Sequence, residues 1–434
     1  MNKDNKNINN DNLDSILDKL FSLRRFGIKP GLERIRILLT KHGNPQNKFK
    51  SVHISGTNGK GSVSSMLASV LIEAGYNTGL YTSPHLVRFN ERIQINGKMI
   101  SDDDLKRLAA KYLQMVEDGD TTFFEITTAI AFYYFAENNV DIAVIETGMG
   151  GRYDATNVIT PVLSVITAIA EDHSEYLGNS IEEIAGEKAG VIKKDIPVVV
   201  MNDEPEIKDV FVKKSNEVSA PLISASDYTL PKITKFTHSL NRVLELNIND
   251  ESLTVHFKLP GQHQIENLRL VMAAADNLRK ELEIRAPDIE AGVEYIRDNI
   301  FFRARMEFIS KNPPVILDGA HNPASIKALK EAILNSKYKE LKFNVLFAAM
   351  SDKDIPAMLE ELKSVAGRFV FTTPRNERAA DGDYFNKIAK AANIEFTYYK
   401  DVIDAYIYAN KLGEPLLICG SFYLAGEVLK YLEY

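Results

Sequence analysis

Leu13, Ile16, Leu17, Leu20 and Phe21 recur at helical spacing after a polar start, and Leu32, Ile35, Leu38 and Leu39 mark a second helix, joined to the first through the stretch Gly27 to Gly31. From there apolar runs alternate with amphipathic segments. "KSVHIS" predicts a strand, about Lys60 to Ala74 a helix, "TGLYTS" a strand, Asn96-Gly97 a hairpin turn, and 102–117 and 124–138 two helices. The strands "DIAVIE" and "VLSVITA" follow, then a helix from about 181 whose Ser180 and Glu183 are spaced as a capping box. This alternation is the pattern of a doubly wound α/β domain. Between about 220 and 260 it gives way to short β segments, "RVLELNI" and "LTVHFKL", read as an inserted or appended β unit, and a helix resumes near Gln262.

At "PPVILDGAHNP" the alternation restarts, with strands expected near 314–318, 343–348, 368–373, 394–398 and 415–419, each followed by a helical pattern. The chain thus divides into an Asn-rich, disordered tail over 1–12, an N-terminal domain over 13–300 and a C-terminal α/β domain over 301–434, with the boundary in "DNIFFRARME". Parallel sheets bind ligands beyond the carboxyl ends of their strands, so the cleft between two such sheets is the expected site.

Bulk properties narrow the partners. Lys plus Arg number 52 against 59 Asp plus Glu, a net charge of −7 with no long basic run, which argues against nucleic acid. No apolar run reaches the ~18 residues of a membrane span, and "MNKDNKNINNDN" lacks the apolar segment of a signal peptide, so the expectation is a cytoplasmic protein without a membrane partner. The single cysteine, Cys419 in "LLICGS", excludes an internal disulfide and reads as strand core.

The chemistry begins at "SVHISGTNGKGSVSSML". A strand, a Gly-rich turn and a helix N-terminus present backbone N–H groups to an anion, and Lys60 can neutralise terminal phosphates. The loop departs from the usual Gly, four residues, Gly-Lys-Ser/Thr form: Ile54 stands where the leading Gly belongs, and Gly61 rather than Ser or Thr follows Lys60. "DIAVIE" ends in Glu146, where a nucleotide enzyme places a carboxylate for magnesium, and His173 in "EDHSEYLG" stands beyond the next strand end, in position to join it. Gly148, Gly150 and Gly151 fail as a dinucleotide fingerprint because Tyr153 holds the third glycine's place. Lys188, in "GEKAG", reads by itself as a solvated surface lysine.

Taken in order, "SGTNGKGS", "SPHL" followed by "ERI", "ETGMGGRYDATN", "EDHSEYLG", "GEKAG", "LDGAHNP" and "GSFYLAGE" closely resemble the motifs of the folylpolyglutamate synthase and dihydrofolate synthase family, in the Mur ligase superfamily. The resemblance runs from about "FGIKPGLERI" to the C-terminus, and that family's phosphate loop also has Gly after Lys. It implies a P-loop-type doubly wound ATP-binding domain and a smaller Rossmann-like C-terminal α/β domain closing over a shared cleft. On the resemblance, Thr57, Asn58, Gly59, Lys60, Gly61 and Ser62 bind the phosphates of ATP, and Ser83, Glu146 and His173 hold Mg2+. Lys188 matches a lysine carried as a carbamate, and Asn267, Arg305 and Asp318 match nucleotide contacts. His321 and Ser421 match the site of the incoming L-glutamate, with Lys60, Lys188 and His321 as the catalytic set. Thr122, Phe124, Glu125, Asp154 and Ala155 correspond to the surroundings of the pterin-bearing substrate, folate or dihydropteroate. One departure is Leu268 in "GQHQIENLRLV", where the family has Ala after Asn.

The implied activity is ATP-dependent amide ligation through an acyl phosphate, in a monomer. A P-loop ATPase or GTPase switch is the competitor from another class, and it has no use for Arg305 and Asp318 from a second domain. A peptidoglycan Mur ligase is the nearer alternative, but its loop ordinarily has Thr after Lys, against Gly61 here.

Overall fold

Strand β1 (Lys50–Ser55) is buried at every position after the first, as a parallel strand covered on both faces must be. In the computed structural model, which describes residues 12–23, 30–114, 121–172, 177–236, 241–248 and 251–433, it lies inside an eight-stranded sheet. The other strands are β2 (Thr78–Tyr81), β3 (Ile93–Ile95), β4 (Lys98–Met99), β5 (Ile142–Glu146), β6 (Leu163–Ile166), β7 (Val198–Val200) and β8 (Leu222–Ser224), in the order β4-β3-β2-β5-β1-β6-β7-β8. The antiparallel pairings are those of β3, with β2 and with β4, and the others are parallel. The chain winds to one side of β1 through β2 and β5 and to the other through β6 to β8, so the loop after β1 stands at a topological switch point. Register does the rest: Ile54 pairs with Glu146 and Ser55 with Ile166, so three functional loops leave the same edge.

The helix Lys60–Glu73 behind that loop is buried without a break from Ser62 to Leu71. Its run of small and apolar residues lets the helices Gln262–Leu278 and Ala286–Glu294 pack on it from other sides. The β unit seen in the sequence is a three-stranded antiparallel sheet of β9 (Lys232–Phe236), β10 (Arg242–Ile248) and β11 (Glu251–Phe257). Leu244, Leu246, Val255 and Phe257 carry it into the same apolar core as the helix Gln262–Leu278.

The second sheet has the order β12-β13-β17-β14-β15-β16, from β12 (Glu307–Lys311), β13 (Pro314–Leu317), β14 (Phe343–Phe347), β15 (Ala366–Thr372), β16 (Phe396–Tyr399) and β17 (Leu416–Cys419). Leu317 pairs with Ile418, so the register sets Asp318 beside Cys419 at the carboxyl edge of the sheet.

Several expectations shift in detail. The helix expected over 102–117 is described as Asp102–Leu113, residues 115–120 lying outside the described set. Residues 1–11 also lie outside it, whereas Asn12 caps the helix Leu13–Ser22 through its side chain. Glu183 bonds the N–H of Asn179 rather than that of Ser180, so the capping box is closed one residue early. Among the described residues no helix is long and apolar enough to cross a membrane.

Candidate active site

Lys60 is the first residue of its helix, and its ammonium folds back over the loop to donate to the carbonyls of Gly56 at 3.0 Å and Thr57 at 3.1 Å. Burial lowers its pKa, while the carboxylates of Glu146, Asp172 and Asp154 act to retain the charge. Gly59, with φ of +91°, starts the helix against Asn267, whose Oδ1 would lie 2.5 Å from a Cβ there. Asn267 donates to Gln264, and Gln264 donates to the Ser62 hydroxyl, so the helix Gln262–Leu278 braces the loop from behind.

The departure at Gly61 has a structural reason. A Cβ at that position would lie 3.2 Å from Nη2 of Arg305 and 3.9 Å from both carboxylate oxygens of Glu146. The missing side chain makes room for an arginine from beyond the first sheet and an acid from the end of β5. Glu146 is 3% exposed; its Oε2 accepts the N–H of Ser83 at 3.0 Å, and burial raises its pKa against the pull of Lys60. Ser83 thus meets Glu146 through its backbone N–H. His173 lies outside the described residues. Among the described residues no three His, Cys, Asp or Glu side chains gather as a metal site.

Arg305 is aimed by strained backbone. Ala304 and Met306 on either side have φ of +55° and +44°, values that cost non-glycine residues on the order of 1 kcal/mol or more each. Asp318 holds this turn, accepting the N–H of Met306 at 2.7 Å and of Ala320 at 2.8 Å. Its carboxylate is therefore engaged with backbone, and it positions Arg305. The guanidinium stands 4.8 Å from the centre of the Phe422 ring, which also flanks His321.

Lys188 is not a surface lysine. It is 3% exposed, donates to the Gly56 carbonyl at 2.8 Å, and has a pKa lowered to about 7 by burial first and by Lys60 second. Local pattern alone missed this, because a lysine in an amphipathic helix carries no sign of what covers it, and only the resemblance had singled Lys188 out.

Across the cleft, Asp172 receives Lys353 at 2.5 Å and the Asn322 amide at 3.3 Å, and lies 3.8 Å from Nε2 of His321. Asn322 also donates to Asn58 at 3.1 Å. The loops after β1 and β6 are thereby tied to the start of the helix Pro323–Leu334 and to Lys353. Neither Asp172 nor Lys353 was singled out from sequence, although Asp172 sits inside "EDHSEYLG" beside His173. Burial lowers the pKa of His321, opposed by Asp172, and Nδ1 of its ring lies 2.9 Å from the Gly319 carbonyl. Ser421 caps the helix Phe422–Leu432, its hydroxyl accepting from Tyr423 N–H.

The residues expected around the pterin form a second group on the same side. Thr122 and Glu125 make a reciprocal capping box for the helix Phe123–Glu137, and Glu125 also pairs with Arg34 at 3.0 Å. Phe124 tilts against Tyr81, and Ala155 is buried. Asp154 accepts from the N–H groups of Gly148, Met149 and Thr156 and from the Thr156 hydroxyl, so it folds the glycine loop on itself.

A model of the Mur ligase middle domain matches residues 54–275, and one described as Mur ligase, glutamate ligase domain matches 304–422. The chain is 36% identical to the dihydrofolate synthase/folylpolyglutamate synthase of Bacillus subtilis, with 94% of this chain and 96% of that one covered. It is 34% identical to the folylpolyglutamate synthase of Lacticaseibacillus casei, with 91% and 92% covered. Among solved structures, Mycobacterium tuberculosis folylpolyglutamate synthase complexed with ADP superposes with a TM-score of 0.86 at 29% identity, over 98% of this chain and 99% of that one. E. coli FolC in complex with DHPP and ADP gives 0.82 at 28%, over 98% of each.

Proposed function

The chain belongs to the folylpolyglutamate synthase and dihydrofolate synthase family of Mur ligases, and on that premise we propose a division of labour among its residues in ATP-dependent ligation of L-glutamate to a folate. A carboxylate is a poor acylating agent, so the folate carboxylate attacks the γ-phosphorus of ATP, ADP leaves, and an acyl phosphate forms. The glutamate amine then attacks the acyl carbon, phosphate departs, and the amine's proton is lost as the amide closes. Lys60 and Arg305 neutralise phosphate charge as it builds, and the N–H groups at the start of the helix Lys60–Glu73 cradle it.

Glu146 and Ser83, with His173, are the residues we assign to Mg2+, and the hard oxygens of the first two suit that ion. When bound, Mg2+ neutralises and orients the phosphates. The same reading gives Lys188 a carbamate. Its lowered pKa of about 7 supports this, because only the free amine adds carbon dioxide. Asn267 supports the nucleotide loop, with Asp318 steering Arg305. His321 and Ser421, at the carboxyl edge of the second sheet, are assigned to glutamate, while Phe124, Ala155 and the loop shaped by Asp154 take the pterin side. We place the domain boundary near residue 300, between the helix Ile296–Asn299 and β12. The cleft draws all these residues from one chain, so a monomer suffices. The buried thiol of Cys419 suits the cytoplasm.

The observation that carries the reading is the meeting of Arg305 and Glu146 over Gly61. Relatives of similar identity carry the single and the double activity in their names. The test is therefore release of ADP and formation of the glutamyl product with tetrahydrofolate and dihydropteroate side by side. Product with at least one of the two, dependent on ATP, Mg2+ and glutamate together, is expected. ATP hydrolysis that ignores glutamate and both pterins would sink it.

A further inference from the structure

The segment between β2 and β3 contains Ser83 at one end and touches the second domain at the other. It is held by one acid. Glu91, 6% exposed, accepts the N–H of Leu86 at 2.6 Å through Oε2 and those of Val87 and Arg88 at 2.8 and 2.7 Å through Oε1. Three charge-assisted bonds to consecutive amides fix the backbone far better than a loop of this length fixes itself. The base of the loop is closed where Thr82 N–H meets the Arg92 carbonyl at 3.0 Å, and Arg92 donates to His85 at 2.7 Å.

The far end sits in a notch. A Cβ on Gly426, in the middle of the helix Phe422–Leu432, would lie 2.1 Å from the Leu86 carbonyl oxygen. Leu86 and Val87 pack on the apolar cluster of Ala304, Leu424, Ala425 and Val428, so the notch is continuous with the turn that aims Arg305. Three residues up the chain, Ser83 N–H holds Glu146.

We propose that Glu91 and the Gly426 notch form a rigid strut that transmits the position of the second domain to Ser83 and Glu146, making Glu91 a positioning residue for the nucleotide site. The metal-binding pair is then set only when the domains are docked, which couples closure of the cleft to readiness of the phosphate site. The strut rests on the assignment of Ser83 and Glu146 to Mg2+.

Two variants test it. Gly426→Ala fills the notch while improving the intrinsic helix propensity of its segment, so a defect belongs to the contact and not to the helix. It should raise the Mg2+ needed for half-maximal binding of a fluorescent ATP analogue by about tenfold, and enlarge the radius of gyration in small-angle scattering. Glu91→Gln keeps the shape but offers one acceptor oxygen where the carboxylate offers two. It should shift the same Mg2+ titration with the radius of gyration unchanged, and it carries the test alone if Gly426→Ala does not fold. In the double variant the shift should not exceed the larger single one. Folded variants with the parent's Mg2+ dependence would overturn the strut and leave the ligase reading standing. A parent chain that binds the analogue with no Mg2+ dependence would overturn the metal assignment and the strut with it.

Discussion

Lys60 and Lys188 donate to a single acceptor, the carbonyl oxygen of Gly56, at 3.0 and 2.8 Å. Two ammonium groups on one oxygen repel each other, and burial adds to the cost. For Lys188 burial is the larger cause and Lys60 the next, and together they lower its pKa to about 7. From about pH 7 to the ordinary lysine value of 10.5, the unfolded chain holds a proton that the folded chain has released. Stability therefore rises with pH across that window and carries its full penalty below it. Thermal melts from pH 6 to 10 should show this rise in the parent and a flatter profile in Lys188→Met. Equal slopes would show that Lys188 titrates normally.

The same titration governs the carbamate. Free amine increases above about pH 7, so a carbon-13 signal from labelled bicarbonate should grow with pH through that range and be missing in Lys188→Met. Turnover of Lys188→Ala should fall by about a hundredfold or more, with partial rescue by a small carboxylic acid. An unlabelled lysine in fully active enzyme would rule the modification out.

Asp172 and Lys353 bridge the two α/β units with side chains 7% and 9% exposed. Removing one partner of such a pair costs on the order of 3–5 kcal/mol because the other charge stays buried, while replacing both costs far less. Lys353→Met and Asp172→Asn should each lower the denaturant midpoint, with the double variant recovering most of the loss. Additive losses would mean that the two groups do not depend on each other.

What the sequence revealed and what it hid follow from the range of the interactions. The strand, turn and helix around Lys60 and the strand-end position of Glu146 were legible because the first three are contiguous and a strand end is local information. The burial of Lys188 and the pairing of Asp172 with Lys353 were not legible, since each depends on a surface supplied by distant chain. Short strands such as β7 and β8, three residues each, are below the length at which alternation can be recognised. Thr122 and Glu125 show the opposite case: the family places them near the substrate, and the structure gives both a capping role that is already satisfied locally.

Asp154 gives a separable prediction. All four of its hydrogen bonds serve the turn from Gly148 to Thr156. Asp154→Ala leaves the buried amide of Thr156 without this acceptor, a cost of about 1–3 kcal/mol when unrelieved, and frees the half-buried amides of Gly148 and Met149 as well, so the turn should rearrange. The proposed pterin side then weakens while the phosphate loop keeps its own supports in Gln264 and Asn267. KM for the folate should rise by about tenfold or more with nucleotide affinity retained; equal losses in both would mean that the turn supports the whole cleft.

Gly61 is the residue on which the unusual loop turns. An ordinary phosphate loop carries Ser or Thr after its lysine, and here a Cβ would stand 3.2 Å from Arg305. The contact is with the far end of a flexible side chain, so a single methyl group displaces it by a few tenths of an ångström, and Gly61→Ala should lose no more than about threefold in turnover. Gly61→Thr adds a branched side chain between Arg305 and Glu146 and cannot be relieved so cheaply. It should lose about a hundredfold, mainly in kcat if Arg305 acts on charge that develops as the γ-phosphoryl group is transferred. The graded pair distinguishes crowding from a backbone requirement, since strain alone would make Ala nearly as harmful as Thr. Shortening the obstructed partner completes the test: Arg305→Ala placed on Gly61→Thr should add little further loss, because the threonine has already removed the arginine from its place. A full additional loss would show that Arg305 still reaches the phosphates past the threonine.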